Sequence, residues 1–362
     1  MTTDSEISKG TEENFVKEEN DVEDLPLKGP IISYGADYTL DSIRQYVVDS
    51  KQIIVQPSFQ RKFVWDIKKA SKLIESLILG YPVPNILLGR DPETEVMEVI
   101  DGQQRILSIC DFFKGRFRDE RIFKLTGDID KRFADKTFDE LDESTQNKLR
   151  NAVLKAVILV YPKDDPNIKF TAFQRINTGS VVLNQQEIRN CIFGGTLNEM
   201  LISLNEKDKN WRRLLTKKPD KRMRDAETIL RFFAAYLNYK NYEKPITVFL
   251  NNFMEANRNI DSKKSNEWEA LFSNTLGIIF ENIGSASFPK SGGNKSFNRA
   301  IFESVMVAVA RLKRENKLDT KNLKRKYDLL LKDKVYSAAI TSQTSDKKRY
   351  LDRINLAYQI LS

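Results

Sequence analysis

Glu95-Val96-Met97-Glu98-Val99-Ile100-Asp101-Gly102-Gln103-Gln104-Arg105-Ile106-Leu107-Ser108-Ile109-Cys110-Asp111-Phe112-Phe113-Lys114 is the stretch on which the reading of this chain turns. Val96 to Ile100 alternates apolar and polar residues and is rich in Val and Ile, the pattern of a half-buried strand. Ile106, Ile109, Cys110 and Phe113 then recur at the spacing of one helix face, and Gly115 stands where a helix-ending glycine belongs. Asp101 and Gln104 have the spacing of a capping box. A strand that turns through glycine into a helix offers backbone N–H groups and the positive end of the helix dipole to phosphate. Arg105, one turn in, adds a guanidinium fork to the same anion. The other reading of the same residues is a capped core helix whose arginine pairs with a surface carboxylate.

The flanking sequence supplies a small mixed sheet. Ile86 to Leu88 reads as a strand that pairs with Val96 to Ile100 across the turn Asp91-Pro92-Glu93. Before it, Asp66 caps a helix carrying Ala70, Leu73, Ile74, Leu77 and Ile78 on one face, with Gly80 at its end. Ile53 to Val55 is a short strand stopped by Pro57. Gln60-Arg61 follows, bracketed by Phe59, Phe63 and Trp65, an arrangement that either aims the arginine at a ligand or packs a loop. Upstream, order is expected from Ile31, with a helix over Thr39 to Val48. Downstream, Leu141 to Val153 reads as helical, and the apolar run Ala156 to Tyr161 as a buried strand. Asn177-Thr178-Gly179 is a turn, and Asn184 with Glu187 has capping-box spacing ahead of Ile188-Arg189-Asn190.

From Thr196 onward the periodicity is helical throughout. Ile229, Leu230, Phe233 and Leu237 mark one helix, and Trp268, Phe272, Leu276 and Ile279 another. Phe297, Ile301, Phe302, Val305 and Val309 mark a third, and Tyr350, Leu351, Ile354 and Tyr358 a last. Arg222 and Arg224 open the first of these, as an anion contact or as a salt-bridged helix start. Gly284 to Ser296 is a Gly/Ser/Lys loop basic enough to meet a nucleic acid backbone. The expected class is α+β: an acidic tail over residues 1–30, a small mixed-sheet domain over 31–195 and an all-helical domain over 196–362.

Composition removes whole classes of chemistry. The 362 residues contain no histidine. That excludes the HNH nuclease site, histidine-dependent triads and histidine-bound zinc. Chemistry must run on carboxylates, Arg, Lys, amides, hydroxyls and bound magnesium. Cys110 and Cys191 read as free thiols, and no apolar run approaches bilayer length, so an intracellular, cytoplasmic protein is expected. The formal charge is +8, yet residues 1–24 hold nine acids and two lysines, net −7, which leaves +15 on the remainder. A basic body of this kind favours a polyanionic partner.

Phe59-Gln60-Arg61 with Trp65, the Asp101-Gly102-Gln103-Gln104-Arg105 element, and the Asn177 turn followed by Glu187-Ile188-Arg189-Asn190 together resemble the GmrSD-type restriction-associated N-terminal domain. The resemblance runs from about Ile31 to Asn190 and more weakly to Arg224-Asp225. It implies a fold related to ParB and sulfiredoxin, nucleoside triphosphate binding or hydrolysis, DNA contact and a place in bacterial anti-phage defence. It places the phosphate site on Gln60, Arg61, Gly102, Gln103, Gln104 and Arg105, with Asn177 and Arg189 beside them and Asp101 positioning Mg2+ or water. Catalysis then falls to Asp101, Gln104 and Arg105. The family often has tyrosine where this chain has Phe59, and many relatives append an HNH nuclease, which needs the histidine absent here. The expected function is a nucleotide-dependent, DNA-interacting protein, with a separate nuclease or defence protein as partner and a homo-oligomer as a further possibility. The alternatives are a non-enzymatic DNA-binding module and a metal-dependent nicking nuclease using Asp101, Glu187 or Asp225.

Overall fold

The computed structural model describes residues 32–55, 65–160, 166–176, 184–215, 218–220, 222–284, 288 and 297–362. The chain divides into two compact units, one of residues 26–178 and one whose described part lies within residues 179–362. Phe59, Gln60, Arg61 and Asn177, the acidic tail, and most of the Gly284 to Ser296 loop lie outside the described residues.

The first unit is built on a five-stranded mixed sheet. Its strands are β1 (Ile32–Thr39), β2 (Ile53–Ile54), β3 (Ile86–Arg90), β4 (Met97–Asp101) and β5 (Val153–Val160), in the spatial order β1-β5-β3-β4-β2. The expected hairpin forms: β3 and β4 pair antiparallel, with Leu88 opposite Val99. Asp91 closes the turn by accepting the N–H of Glu93 at 2.9 Å. Strand β5 lies parallel to β3, with Ile86 opposite Ala156, and antiparallel to β1. β2 pairs parallel to β4 through Ile53 and Met97.

Five helices belong to this unit: α1 (Leu40–Arg44), α2 (Ile67–Leu79), α3 (Gln103–Lys114), α4 (Glu143–Asn151) and α5 (Pro166–Ile176). Asp66 caps α2 by accepting the N–H of Lys69 at 2.8 Å, and Gly80 ends it at φ +77°. Ile74 of α2, Leu88 and Val99 of the sheet, and Ile106, Ile109 and Phe112 of α3 share one core. Each such side chain contributes about 1.5–3 kcal/mol on burial. The charged stretch after α3 closes over this core: Phe123 packs edge-on to Phe112, and the backbone N–H groups of Thr126 and Asp130 are taken by Ser71 Oγ and Glu75 Oε1 of α2.

Four element boundaries differ from the sequence expectation. Ile32–Thr39 is a strand. Its residues are nearly all exposed or half-buried on the sheet edge, so the hydrophobic alternation that reveals a strand is missing. Thr39 ends it and caps α1, which runs on through a π-turn over Gln45–Asp49. Helix α4 is shorter than the Leu141 to Val153 reading, capped by Asp142 at one end and giving way at Ala152 to β5 at the other. Strand β5 begins at Val153, and its first residues alternate between exposed and buried.

The second unit is helical: α6 (Gln185–Ile192), α7 (Thr196–Lys207), α8 (Lys209–Leu214), α9 (Arg224–Asn238), α10 (Ile246–Ala256), α11 (Ser262–Asn282), α12 (Arg299–Arg314), α13 (Leu323–Lys332), α14 (Lys334–Thr341) and α15 (Lys347–Leu361). The four helices read from the sequence are α9, α11, α12 and α15. Fully buried Trp211 meets Phe272, Phe297 and Phe302, while its Nε1–H donates to Asn205 at 2.8 Å. Next to Phe302 on α12, Glu303 binds Arg353 at 2.7 Å and Tyr350 at 3.0 Å, all three buried. No helix among the described residues is long and apolar enough to cross a membrane.

Candidate functional site

The turn between β4 and α3 is shaped by one glycine. Gly102 is the N-cap of α3 at φ +93°, a conformation that costs a residue with a Cβ atom. A Cβ there would also lie 2.4 Å from Ile86 Cγ2 and 3.1 Å from Arg105 Nη2. The position therefore needs glycine for both backbone freedom and space. The capping box expected from Asp101 and Gln104 does not form, because the cap falls on Gly102 and no side chain closes it. Asp101 is instead the last residue of β4, with its side chain turned outward.

Released from capping, both side chains take other partners. Asp101 Oδ2 accepts from Arg105 Nη2 at 2.8 Å, and the same Nη2 donates to the carbonyl of Asn85 at 3.1 Å. Arg105 is mostly buried, its side chain 13% exposed against 68% for Asp101. Its Nε is buried with no hydrogen-bond partner. An orphaned donor of this kind costs about 1–3 kcal/mol. Gln104 is a fastener: its Oε1 accepts the N–H of Trp65 at 3.1 Å and also a bond from Arg118 Nη1. Arg118 in turn binds Asp111 at 3.1 Å and Ser108 Oγ at 3.2 Å. Through Gln104, α3 grips the segment that leads out of the Gln60-Arg61 stretch. Gln103 is 4% exposed. Sequence reasoning missed Arg118, which sits in a charged stretch without periodicity; Asn85 and Ile86 carry no chemical signature at all.

The Asn184 and Glu187 capping box forms as read, with Glu187 N–H on Asn184 Oδ1 at 2.9 Å and Asn184 N–H on Glu187 Oε2 at 2.7 Å. Glu187 also binds Arg222 at 3.1 Å. Arg189, two positions after Glu187 on the same helix, points inward and is fully buried in the helical unit. It donates to Asn251, Gln186 and Glu227 at 3.1, 3.0 and 3.1 Å. That position makes Arg189 a buried structural charge of the helical unit, whereas the Asp101-to-Arg105 turn belongs to the sheet unit. Burial alone would raise the Glu227 carboxyl, but the guanidinium groups of Arg189, Arg231 and Arg299 overcome it and hold it at about 2. Asp225 is buried too, bound to Arg212 at 3.0 Å. Arg222 and Arg224 each hold a carboxylate, Arg224 on Asp220 at 2.7 Å, so α9 opens on salt bridges.

Residues 43–194 match the family model described as GmrSD restriction endonuclease, N-terminal domain. No curated protein matches the chain. The GmrSD-type match spans α1 to α6, and the Asp101-to-Arg105 turn lies near its centre. Of the residues placed by resemblance at the phosphate, Gly102, Gln103, Gln104 and Arg105 are brought together at the start of α3, while Gln60, Arg61 and Asn177 fall outside the described residues. Among the described residues no group of three or more Cys, Asp or Glu side chains is placed to hold a metal ion. Asp101 is exposed, and Arg105 is bound to its Oδ2. Magnesium is commonly held by one or two carboxylates together with substrate phosphates and water. Cys110, behind the turn on α3, is pushed up to about 12 by burial, so it is a packing thiol and not a nucleophile.

Proposed function

We propose that this chain is a nucleotide-dependent, DNA-interacting protein of a restriction or anti-phage system, with the Asp101-to-Arg105 turn as its triphosphate site. The observation that carries the reading is Arg105: a mostly buried guanidinium at a helix start, with an orphaned Nε, beside an N-cap glycine to which no side chain is bonded. Helix starts of this form bind phosphate through backbone N–H groups and the helix dipole. The turn also occupies the place where the ParB and sulfiredoxin resemblance implies a nucleotide phosphate, and the GmrSD-type match supports DNA as the second ligand.

In this reading Arg105 binds the phosphates and stabilises the charge that grows on them as water attacks the terminal phosphorus and the bond to the leaving diphosphate oxygen breaks. Asn85 and Asp101 hold the guanidinium plane, so the arginine is in position before the ligand arrives. Asp101 would hold magnesium, which supplies charge neutralisation across the phosphates. Gln104 acts at one remove, holding the backbone of Trp65. A nucleotide panel tests the assignment: binding and phosphate release measured with ATP, GTP, CTP and UTP, with and without duplex DNA. Release of phosphate from at least one nucleotide, lost in Arg105→Ala, is the expected result, and an Arg105→Ala protein that turns over at the wild-type rate overturns it. The second reading, a non-enzymatic DNA-binding module, draws on the Arg105 and Asp101 pair, which leaves a guanidinium suited to a backbone phosphate; it requires nucleotide-independent DNA binding and no phosphate release.

A further inference from the structure

We infer that the turn joining α12 to α13 is a docking surface for the phosphate backbone of duplex DNA. The proposal rests on the reading of this chain as DNA-interacting and locates that contact in the helical unit. From Arg311 to Lys326 the sequence holds eight Lys and Arg against two acids, a net charge of +6. The helical pattern of this stretch separates its two roles. Leu312, Leu323, Tyr327 and Leu330 are buried, whereas Lys313, Arg314, Lys321, Lys324 and Arg325 are exposed. The basic side chains are thus displayed by helix ends whose opposite faces are anchored in the core.

The platform between them is ordered by its own hydrogen bonds. Lys317 N–H returns to the carbonyl of Leu312 at 2.9 Å and Asn316 N–H to that of Lys313 at 3.2 Å, with Asn316 at φ +55°, a helix-ending motif. Asn322 Nδ2 donates to Asp319 Oδ2 at 2.7 Å at the start of α13. Three cations are spent internally: Lys317 on Glu315 at 3.0 Å, Lys324 on Asp328 at 2.7 Å and Lys326 on Asp319 at 3.8 Å. Arg311 lies over the rings of Tyr239 and Tyr358, 5.1 and 4.3 Å away. The other four, Lys313, Arg314, Lys321 and Arg325, make no ion pair among the described residues, and Arg314 lies over the ring of Tyr236, 5.5 Å away.

Four exposed cations without acidic partners, on a fixed turn, repel one another and gain by meeting a polyanion. Duplex DNA carries one negative charge per about 1.7 Å of axis, and each phosphate neutralised contributes about 0.9 to the slope of log affinity against log salt. The test uses the full chain and a variant in which Lys313, Arg314, Lys321 and Arg325 are all changed to Ala, with a short fluorescein-labelled duplex titrated at several salt concentrations. The slope should flatten by about 3 to 4, with the melting temperature unchanged and with nucleotide hydrolysis in the absence of DNA at the wild-type level. A quadruple Lys and Arg exchange, Lys313→Arg, Arg314→Lys, Lys321→Arg and Arg325→Lys, should retain the wild-type slope. An unchanged slope in the alanine variant overturns the proposal, as does loss of binding to phosphatidylserine vesicles with duplex binding intact, which would assign the patch to a membrane surface. Absence of nucleotide hydrolysis in the wild type would defeat the triphosphate reading and leave this one standing on its slope.

Discussion

Arg105 concentrates the functional argument in one side chain. If the turn is the proposed triphosphate site, truncating Arg105 to Ala removes a guanidinium while leaving Ile106 and Ile109 in the core, so the expected loss is in turnover, about 10²-fold or more, with little change in melting temperature. Glu227 is the opposite case, a charge kept for the fold. Its three arginine neighbours hold its carboxyl at about 2, below the ordinary value of 4.5. A depressed folded value contributes stability that is complete above the unfolded value and is lost as pH falls through the folded one. The helical unit should therefore weaken on acidification between about pH 4.5 and 2. Glu227→Gln should destabilise the protein by about 3–5 kcal/mol, because it leaves Arg189 buried without its counter-charge; urea titration of wild type and variant at neutral pH measures this, and equal midpoints would contradict it. The place of Arg105 in the first turn of a helix was legible in the sequence, whereas the burial of Arg189 was not. Both are arginines one turn into a capped helix, and only the packing of Asn251 and Glu227 around Arg189 tells them apart.

The unit that matters at the next scale is strand, glycine and helix. Its two periodicities were legible, since β4 is half-buried and α3 amphipathic, and the sequence placed both correctly. Its cap was not legible, because Asp101 and Gln104 satisfy the spacing rule equally well whether the helix starts at one or at the other side of Gly102. In the structure the cap falls on Gly102, where a Cβ would meet the Ile86 side chain. Gly102→Ala is then expected to be costly twice over, through φ and through the 2.4 Å approach to Ile86. Destabilisation of about 1–3 kcal/mol, read by thermal melting, should accompany loss of nucleotide binding. A variant as stable as wild type would show that the turn can open. The missed edge strand β1 has the same kind of cause: its residues are exposed or only half-buried and give no clear apolar alternation in the sequence, and it is paired along its length to β5.

Across the whole chain the dominant feature is the separation of charge, net −7 over residues 1–24 against +15 on the remainder. An acidic segment tethered to a basic body competes with an anionic ligand at high effective concentration. Removing residues 1–24 should tighten duplex binding at low salt, with the gain shrinking as the Debye length falls from about 30 Å at 0.01 M to about 8 Å at 0.15 M. An affinity unchanged at low salt would contradict competition. Division into a mixed-sheet part and a helical part was readable from the change in periodicity alone, while the packing of the charged stretch after α3 depended on long-range bonds from Ser71 and Glu75 that no local pattern announces.

The β4-to-α3 turn is proposed above as a triphosphate site. Isothermal titration and phosphate release, run side by side on wild type and Arg105→Ala with the four nucleoside triphosphates and magnesium, test it most directly. Binding and release with at least one nucleotide are expected in the wild type, and the loss of both in an equally stable variant. Wild-type protein that binds none of the four, or a variant that binds and hydrolyses like the wild type, would contradict it.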